Sequence, residues 1–335
     1  MLPEEQKKET CRSFLLFINE YKNLIMFLVA IIIATILYIS VWSAPSTYPV
    51  GTIYDLKTSQ TLSIVSNNFL KSNAIRSDFW FKSFVYVFSL GKAKVIEGDY
   101  ALYKKQNVFT LAWRVTHGLL DIVPIKITIP EGTNSFEIAD ILANNFPSFD
   151  KNTFLDLVKT EKLEGYLFPD TYFIMPNMKE TDIIKMMTDN FNEKMKEVST
   201  DIKKFGKSES DVIKMASIIE EEGRTTETRE IIAGILWKRL FINMPLQVDS
   251  SFKYIDGKTT ENLTSDDLKI DSPYNSYINR GLPPTAISNP GLEAIKATIN
   301  PIKTTYLYFL TDKDGNMHYA VTFEEHVANK LKYLK

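Results

Sequence analysis

The chain has 335 residues, a formal net charge of −2 and an apolar fraction of 44%. This length is sufficient for two or more domains with their own hydrophobic cores, and the nearly balanced charge argues against nucleic acid as a partner. The single cysteine, Cys11, excludes a disulfide within the chain and a multi-cysteine zinc site, and the three histidines lack the helical spacing of metal ligands. We therefore predict neither a metal nor a cofactor.

The first predicted element is a membrane-spanning helix. Residues 24–42 form an apolar run close to the ~20 residues that a spanning helix needs. The basic residues that precede the run are Lys7, Lys8, Arg12 and Lys22. The positive-inside rule then predicts a cytoplasmic segment 1–23, a transmembrane helix 24–43 and a remainder outside the plasma membrane. A cleaved signal peptide is the alternative, because Ser43 and Ala44 are small, but the length of the run favours an uncleaved anchor.

Two segments after this run resemble each other. Residues 58–65, TSQTLSIV, are similar to residues 132–139, GTNSFEIA, and each is predicted to open a helix that is followed by an aromatic-bearing helix. In the second copy, residues 125–129 alternate as a half-buried strand does and stop at a Pro-Glu-Gly turn. The pattern predicts a duplicated strand-and-helix unit, with chance similarity as the alternative.

The segment 162–173, KLEGYLFPDTYF, is dense in aromatic residues around a glycine and a proline. One interpretation is a loop that faces the core. The other is a wall of Tyr166, Phe168 and Tyr172 on which sugar rings lie, because the apolar faces of sugars pack on aromatic rings.

The segment 208–223, SESDVIKMASIIEEEG, is predicted to be a largely buried amphipathic helix capped by Ser208 or Ser210 and ended by Gly223. Its last turn holds three consecutive glutamates, at the end of the helix whose dipole disfavours carboxylates.

Helical geometry separates these three side chains. Glu220 falls at one edge of the apolar stripe, Glu222 at the other edge, and Glu221 on the solvent-facing side. Burial and the dipole both raise a carboxyl pKa, which a general acid near neutral pH requires. Glu220 is therefore the first candidate for an acid and Glu222 the second. A frayed helix end with a solvated acidic patch is the alternative.

The rest of the chain is predicted to alternate helices with irregular segments. Helices are expected at 181–204, 225–241, 292–299 and 322–331, and a hairpin at 306–321. Residues 244–255 are predicted to be extended, which places Gln247 and Asp249 on one face. Residues 271–290 are too rich in Pro, Gly and Asn for regular structure, and a loop of this length is more often functional.

Five blocks of this sequence resemble, in order and spacing, the MltG/YceG-like endolytic murein transglycosylases. The blocks are LEGYLFPDTY, ASIIEEEG, LQVDSSFKY, SPYNSYINRGLPPTAISNPG and FLTDKDGNMHYAVTFEEH, within a match that covers roughly residues 125–335. The resemblance implies a single-pass membrane enzyme that cuts peptidoglycan glycan strands. Its catalytic glutamate corresponds to Glu220, the residue that helical geometry also selects.

The resemblance also implies an α+β fold with LysM-like modules before the catalytic domain. We expect a divergent LysM-like region at 44–124, a LysM-like module at 125–160 and the transglycosylase domain at 161–335. The first module departs from the family, since GTIYDLKTSQ replaces the usual opening.

A single strong acid candidate agrees with this chemistry. A hydrolase needs a second carboxylate to activate water, whereas in a transglycosylase the C6 hydroxyl of muramic acid takes the place of that water. Candidate glycan contacts are Gln247, Asp249, Asn275, Tyr277 and Tyr166, whose alternative role is to hold loops through side-chain-to-backbone hydrogen bonds. The expected partners are glycan strands, the plasma membrane and possible peptidoglycan synthases. The rival functions are a hydrolytic muramidase that uses Asp249 or Glu222 as its second carboxylate, and a non-catalytic glycan-binding scaffold that recruits synthases.

Overall fold

The computed structural model describes residues 21–57, 59–259 and 262–334, and the chain divides into two units, Met1–Val123 and Pro124–Lys335. The predicted cytoplasmic segment up to residue 20, including Cys11, lies outside the described residues. Both units combine helices with short antiparallel strands, so the predicted mixture of helix and strand is confirmed.

The first unit begins with helix α1, Lys22–Leu37, which continues as one π-helical turn, Tyr38–Trp42. Lys22–Trp42 is long and apolar enough to cross a membrane, with a mean hydropathy of 2.9, and a signal sequence near the N-terminus has the same properties. The side chains of α1 are not buried, whereas Val41 in the π-helical turn belongs to the core of the domain that follows.

A small domain follows, in which two strands enclose two helices. Its elements are β1 Thr52–Leu56, α2 Leu62–Lys71, α3 Asp78–Phe88, β2 Gly98–Leu102 and α4 Val108–His117. Strands β1 and β2 are antiparallel, with Thr52 opposite Leu102. The side chains of Thr61 and Ser77 accept hydrogen bonds from the first turns of α2 and α3, as N-caps do. The fully buried core includes Val65, Phe69, Phe81, Val85, Tyr100 and Leu111.

The second unit opens with the same order of elements. These are β3 Ile125–Thr128, α5 Ser135–Asn145, α6 Lys151–Glu161 and β4 Thr171–Ile174. Strands β3 and β4 are antiparallel, and Asn134 forms a capping box with Glu137 at the start of α5. The two segments with similar sequences therefore share the order strand, helix, helix, strand, as the predicted repeat requires. Strand β4 lies beyond the predicted module boundary at residue 160, because the module's second strand is formed by the end of the aromatic segment.

The aromatic segment 162–173 does not form a wall for sugar rings. Tyr172 is buried in the core around α5 and β3, and Phe168 is buried in a separate cluster that includes Ile213. These two rings face the interior in different places, since Tyr172 belongs to strand β4 and Phe168 precedes it. Tyr166 is half-buried and packs against the Phe191 ring at 4.9 Å.

The remaining elements form the larger part of the second unit. They are α7 Glu180–Met195, α8 Ser199–Phe205, α9 Glu209–Glu222, α10 Thr226–Phe241, α11 Ser250–Asp256, α12 Leu292–Ile299, β5 Tyr308–Thr311, β6 Met317–Ala320 and α13 Phe323–Tyr333. Helix α9 packs against α10, α11 and α12 and is the central helix of this unit. Strands β5 and β6 form the predicted hairpin.

Two predictions of local structure are wrong. The single helix expected at 181–204 is two helices, because the chain turns after Met195 and a new helix begins at Ser199. The extended segment expected at 244–255 is helix α11 from Ser250 onward, so Gln247 and Asp249 do not share a strand face. The loop expected at 271–290, all of it described, contains neither helix nor strand.

Candidate active site

The site is organised by helix α9, which ends in the three glutamates. Ser208 accepts a hydrogen bond from Asp211 N–H at 3.1 Å, which makes it the N-cap. From that start, the apolar residues of the helix fall on its buried faces, namely Val212, Ile213, Met215, Ala216, Ile218 and Ile219. The helix is therefore packed against other elements over most of its circumference, and its last turn lies in the interior of the unit.

The carboxyl group of Glu220 is almost completely enclosed, with 5% of the side chain exposed. One of its oxygens is ion-paired with Arg229. The other accepts a hydrogen bond of 3.0 Å from Gly291 N–H. Arg229 also donates from Nε to Gly223 O at 2.9 Å, so one guanidinium binds both the carboxylate and a free carbonyl at the end of α9. This cation compensates for the unfavourable position of glutamates at a helix C-terminus.

Burial raises the pKa of Glu220 above its ordinary value, against the Gly291 N–H and Arg229, which lower it. The charges of Glu131 and Glu221 raise it further. A raised carboxyl pKa keeps more of the acid protonated near neutral pH, as a general acid requires. Donors on both oxygens also stabilise the anion after the proton has left.

Two loops close over the glutamates. Gly132, in the turn after β3, has a φ of +76°, and a Cβ there would lie 2.7 Å from Glu221 Oε1 and 3.5 Å from Glu220 Cγ. Gly291 is equally tight, since a Cβ would lie 1.9 Å from Glu131 Oε1. The loops bind each other, because Gly132 N–H donates to Asn289 O at 3.0 Å. Gly132 combines a left-handed backbone with this close approach, so a side chain there would be strained. Gly291 has an ordinary φ of −74°, and a Cβ there would have to displace the end of the Glu131 side chain.

The prediction that Glu221 faces solvent is wrong. Its side chain is 19% exposed and lies 3.4 Å from Lys253 Nζ, and that ammonium also lies 3.3 Å from Glu137. The turn at Gly132 and helix α11 cover the side of α9 that helical geometry alone left open. Burial raises the pKa of Glu221 against the opposing charge of Lys253.

Glu222 lies in a second acidic group, with Asp249 and Tyr277. Burial raises the pKa of Glu222 to about 7, and the charge of Asp249 raises it further. The Tyr277 hydroxyl donates to Asp249 Oδ1, and burial raises the pKa of this phenol. The structure thus brings together three of the predicted residues, Glu222, Asp249 and Tyr277.

The other candidate glycan contacts are separate from this group or occupied. Asn275 is fully buried, its amide donates to Leu268 O and Ile270 O, and its oxygen accepts from Tyr277 N–H. These bonds hold the loop, so Asn275 offers no polar atom to a glycan. Gln247 has a left-handed backbone, φ +48°, and its N–H donates to the carbonyl of Ser276 at 3.0 Å.

Tyr166 lines a cavity of about 380 Å³ together with Glu164, Ser210 and Lys214. Glu220 is not among the lining residues of that cavity. Within the described ranges, no group of three or more His, Cys, Asp or Glu side chains is arranged to hold a metal ion.

Comparison with known proteins identifies the family of this chain. The family model of the YceG-like family matches residues 54–332. The chain belongs to the YceG-like family.

Two relatives of this YceG-like chain align with more than half of its length. It is 32% identical over 305 residues to the endolytic murein transglycosylase of Bacillus subtilis, with 84% of each chain covered. It is 36% identical over 179 residues to the endolytic murein transglycosylase of Streptococcus pneumoniae, which covers 52% of this chain and 32% of the relative. A crystal structure of a YceG-like protein from Listeria monocytogenes superposes with a TM-score of 0.57 at 30% identity, over 84% of this chain and 98% of that one.

One buried carboxyl of this YceG-like protein was not identified from the sequence. Glu164 is 3% exposed and accepts hydrogen bonds from the N–H and the hydroxyl of Ser135, the first residue of α5. Asn289 donates to it at 3.1 Å, and burial raises its pKa to about 7. No local signal distinguished it, because Glu161 and Lys162 just before it are charged as well.

Asn289 connects this carboxyl to the loops around Glu220. Its side-chain oxygen accepts from Gly165 N–H and Leu167 N–H, both at 2.9 Å, and its amide also donates to Thr133 O. Asn289 lies two residues before Gly291, the donor to Glu220. Glu164 and Asn289 therefore hold the second module to the loop that supports the candidate acid.

Proposed function

We propose that this chain is a membrane-anchored endolytic lytic transglycosylase. Its substrate would be the β-1,4 bond between N-acetylmuramic acid and N-acetylglucosamine in nascent peptidoglycan strands, and its product a 1,6-anhydro-muramic end. The observation that carries the proposal is Glu220, an enclosed carboxyl of raised pKa bound by Arg229 and Gly291. The names of the Bacillus and Streptococcus relatives support the same activity.

In the proposed reaction Glu220 acts first as an acid and then as a base. The protonated carboxyl donates to the glycosidic oxygen while the bond from the muramic C1 to that oxygen breaks. The carboxylate then accepts the proton of the muramic C6 hydroxyl while O6 bonds to C1, so Glu220 ends in its starting form. Arg229 and the Gly291 N–H stabilise the anion between the two steps, and positioning of the C6 hydroxyl replaces activation of water.

In addition to the acid Glu220, we propose four residues as glycan contacts, namely Gln247, Asp249, Tyr277 and Tyr166. Asp249 and Tyr277 have polar groups in the acidic group around Glu222, and Tyr166 offers a half-buried ring at a cavity. We do not retain Asn275, because its polar atoms are bound to the loop.

We also propose that both strand–helix–helix–strand modules are LysM-like glycan binders. The first module supports this with an open cavity of about 760 Å³ between the β1–α2 loop and the segment 92–97. Helix α1 would be the uncleaved anchor, with its N-terminus in the cytoplasm and the catalytic domain outside the plasma membrane. Peptidoglycan synthases remain candidate partners.

A hydrolytic muramidase is the second candidate, because Glu222 and Asp249 supply a second group of carboxyls. The test is digestion of purified sacculi by the full-length protein in detergent, with the products analysed by mass spectrometry. Transglycosylation gives anhydro ends and hydrolysis gives reducing ends. Binding to sacculi without any product would instead support a non-catalytic scaffold.

A further inference from the structure

Helix α3 of the first unit is apolar on more of its surface than its packing requires. Phe81 and Val85 form its buried stripe and are completely enclosed. A second stripe, Trp80, Phe84 and Phe88, runs along its side at a spacing of four residues, with neighbouring ring centroids 5.9 and 6.0 Å apart. A helix that is apolar on nearly all sides is normally buried, yet the side chain of Val87 is 63% exposed and that of Leu90 is 87% exposed.

This apolar side is continuous with the end of helix α1. The Trp42 ring packs on the Phe109 ring at 5.6 Å, and Phe109 packs on Phe88 at 5.1 Å. Phe88 in turn meets Trp113, which is itself exposed, at 5.1 Å. The C-terminal half of α3 is therefore two ring contacts from the last residue of Lys22–Trp42. We call the set Phe84, Val87, Phe88, Leu90, Phe109 and Trp113 the aromatic face.

The junction between α1 and the domain is fixed by several contacts. Val41 lies in the domain's own core, 7% exposed. The Arg76 guanidinium donates to Ala44 O at 2.9 Å, and the Lys105 ammonium donates to Ser46 O at 3.1 Å. These bonds bind Ala44 and Ser46, just after the apolar run, to the domain, so the domain has no free linker on which to move away from the end of the run.

The length of the helix sets the depth of this junction. The 21 residues of Lys22–Trp42 extend about 30 Å at 1.5 Å per residue, which matches the hydrocarbon thickness of a bilayer. A helix that crosses the membrane over this length places Trp42 at the outer interface, where tryptophan is enriched. The aromatic face, which Trp42 joins through Phe109, therefore begins next to this interface.

We infer that the aromatic face rests on the outer leaflet of the plasma membrane and holds the first unit against the lipid surface. The inference rests on the proposed function in one respect, namely that α1 spans the membrane. Interfacial apolar faces of this kind bury roughly 5–10 Å into the headgroup region, with aromatic residues as anchors. The consequence is that the first unit has a defined orientation at the membrane.

The test uses the full-length chain in vesicles of phosphatidylethanolamine and phosphatidylglycerol. Cys11→Ser removes the native thiol, and single cysteines are introduced by Val87→Cys or Leu90→Cys and labelled with an environment-sensitive fluorophore. Both positions are exposed, so the substitutions leave the core intact. The matched control is Asn68→Cys, exposed on helix α2, and Ile32→Cys in the middle of α1 reports on the anchor itself.

We expect lipids spin-labelled near the headgroup to reduce the fluorescence at positions 87 and 90 roughly twofold, with little change at position 68. Quenching at position 32 by lipids labelled deep in the acyl chain, without quenching at 87 and 90, would overturn this inference and leave the anchor in place. Equal quenching at 68 and 87 would also overturn it, because the face would then not orient the domain. A blue-shifted emission at 87 and 90 without lipid quenching would overturn it as well, because a second copy of the chain would then cover the face.

Absence of quenching at position 32 would overturn the anchor and this inference together. Activity on sacculi, measured on the same preparations in detergent, reports separately on the proposed reaction. The inference about the membrane surface and the assignment of the chemistry therefore fail in different measurements.

Discussion

The two strand–helix–helix–strand modules have the same order of elements and different surroundings. In the first, the loop after β1 borders an open cavity of about 760 Å³, and Val87, Leu90 and Trp113 of the aromatic face are exposed. In the second, the corresponding loop contains Gly132 and closes on Glu220 and Glu221. The comparison teaches that one small fold can border an open cavity in one place and close over buried carboxylates in another. The difference depends on whether a neighbouring helix brings carboxylates to its first loop.

If the loop of the second module closes on a catalytic acid, the largest loss of activity is expected for Glu220→Gln. The amide cannot donate the required proton, so the formation of anhydro products should fall by about 10²–10⁴-fold while the protein stays folded. Mass spectrometry of digested sacculi measures the loss, and circular dichroism checks the fold. Glu209→Gln is the matched control, because Glu209 is exposed at the first residue of the same helix, and it should have little effect. Equal losses in both variants would return the helix end to a structural role.

The contact between the second module and the site can be broken at Glu164. Glu164→Gln places an amide N–H₂ against the N–H and hydroxyl of Ser135 and should cost about 1–3 kcal/mol of unfolding free energy. The control is Glu161→Gln, because Glu161 is exposed at the end of α6. Urea unfolding compares the two variants. A Glu164 variant as stable as the control would show that this network does not join the module to the rest of the unit.

The raised pKa of Glu164 also predicts how the free energy of unfolding changes with pH. Its folded pKa is raised from 4.5 to about 7, so its contribution is fully present below pH 4.5 and is lost as the pH rises through about 7. The Gln variant should show a shallower decline, because Glu222, whose pKa is also raised to about 7, still contributes. Urea midpoints measured between pH 4.5 and 8 compare the two slopes. An identical slope in wild type and variant would contradict the assignment.

A matched pair of glycines compares the two modules directly. Gly132→Ala and Gly51→Ala both force a residue with a side chain into a left-handed backbone, which costs about 1–2 kcal/mol at each site. A Cβ on Gly51 meets nothing within 4 Å, whereas a Cβ on Gly132 meets Glu221 Oε1 at 2.7 Å. We therefore expect similar losses of stability and a loss of activity, measured on sacculi, only for Gly132→Ala. Equal activity in the two variants would show that closure of the loop is unimportant.

The smallest expected effect is a shift in the pH profile of Arg229→Gln. Arg229 lowers the pKa of Glu220, so its removal should raise that pKa and move the alkaline limb of kcat/KM upward by roughly one unit. Arg224→Gln, which neutralises an exposed arginine nearby, should leave the limb in place. Arg229→Lys keeps the charge and should shift it less. A downward shift would mean that Glu220 works in its ionised form in the first step.

Local signals in the sequence were sufficient for most elements with strong caps or clear periodicity. Ser208 and the apolar spacing after it predicted helix α9, and alternation predicted strand β3, because caps and periodicity act within a few residues. The break between α7 and α8 was missed, since the charged residues around it suit a continuous helix. Residues 250–256 were missed as a helix because the segment is short and its neighbours were read as a strand.

The sequence by itself determined the apolar helix, the α+β class and the repeated order of elements, and it selected Glu220 as the candidate acid. Each depends on the order and spacing of residues along the chain, and the five blocks that resemble the family point to the same residue, Glu220. Only the tertiary structure decided that Glu221 is covered, that Asn275 holds its loop, and that Glu164 and Asn289 connect the second module to the site. These facts depend on contacts such as Asn289 with Gly165, 124 positions apart, which no local pattern encodes. Burial and pKa are properties of such long-range contacts, and for that reason the three glutamates could be ordered along a helix but not assigned their environments before the fold was known.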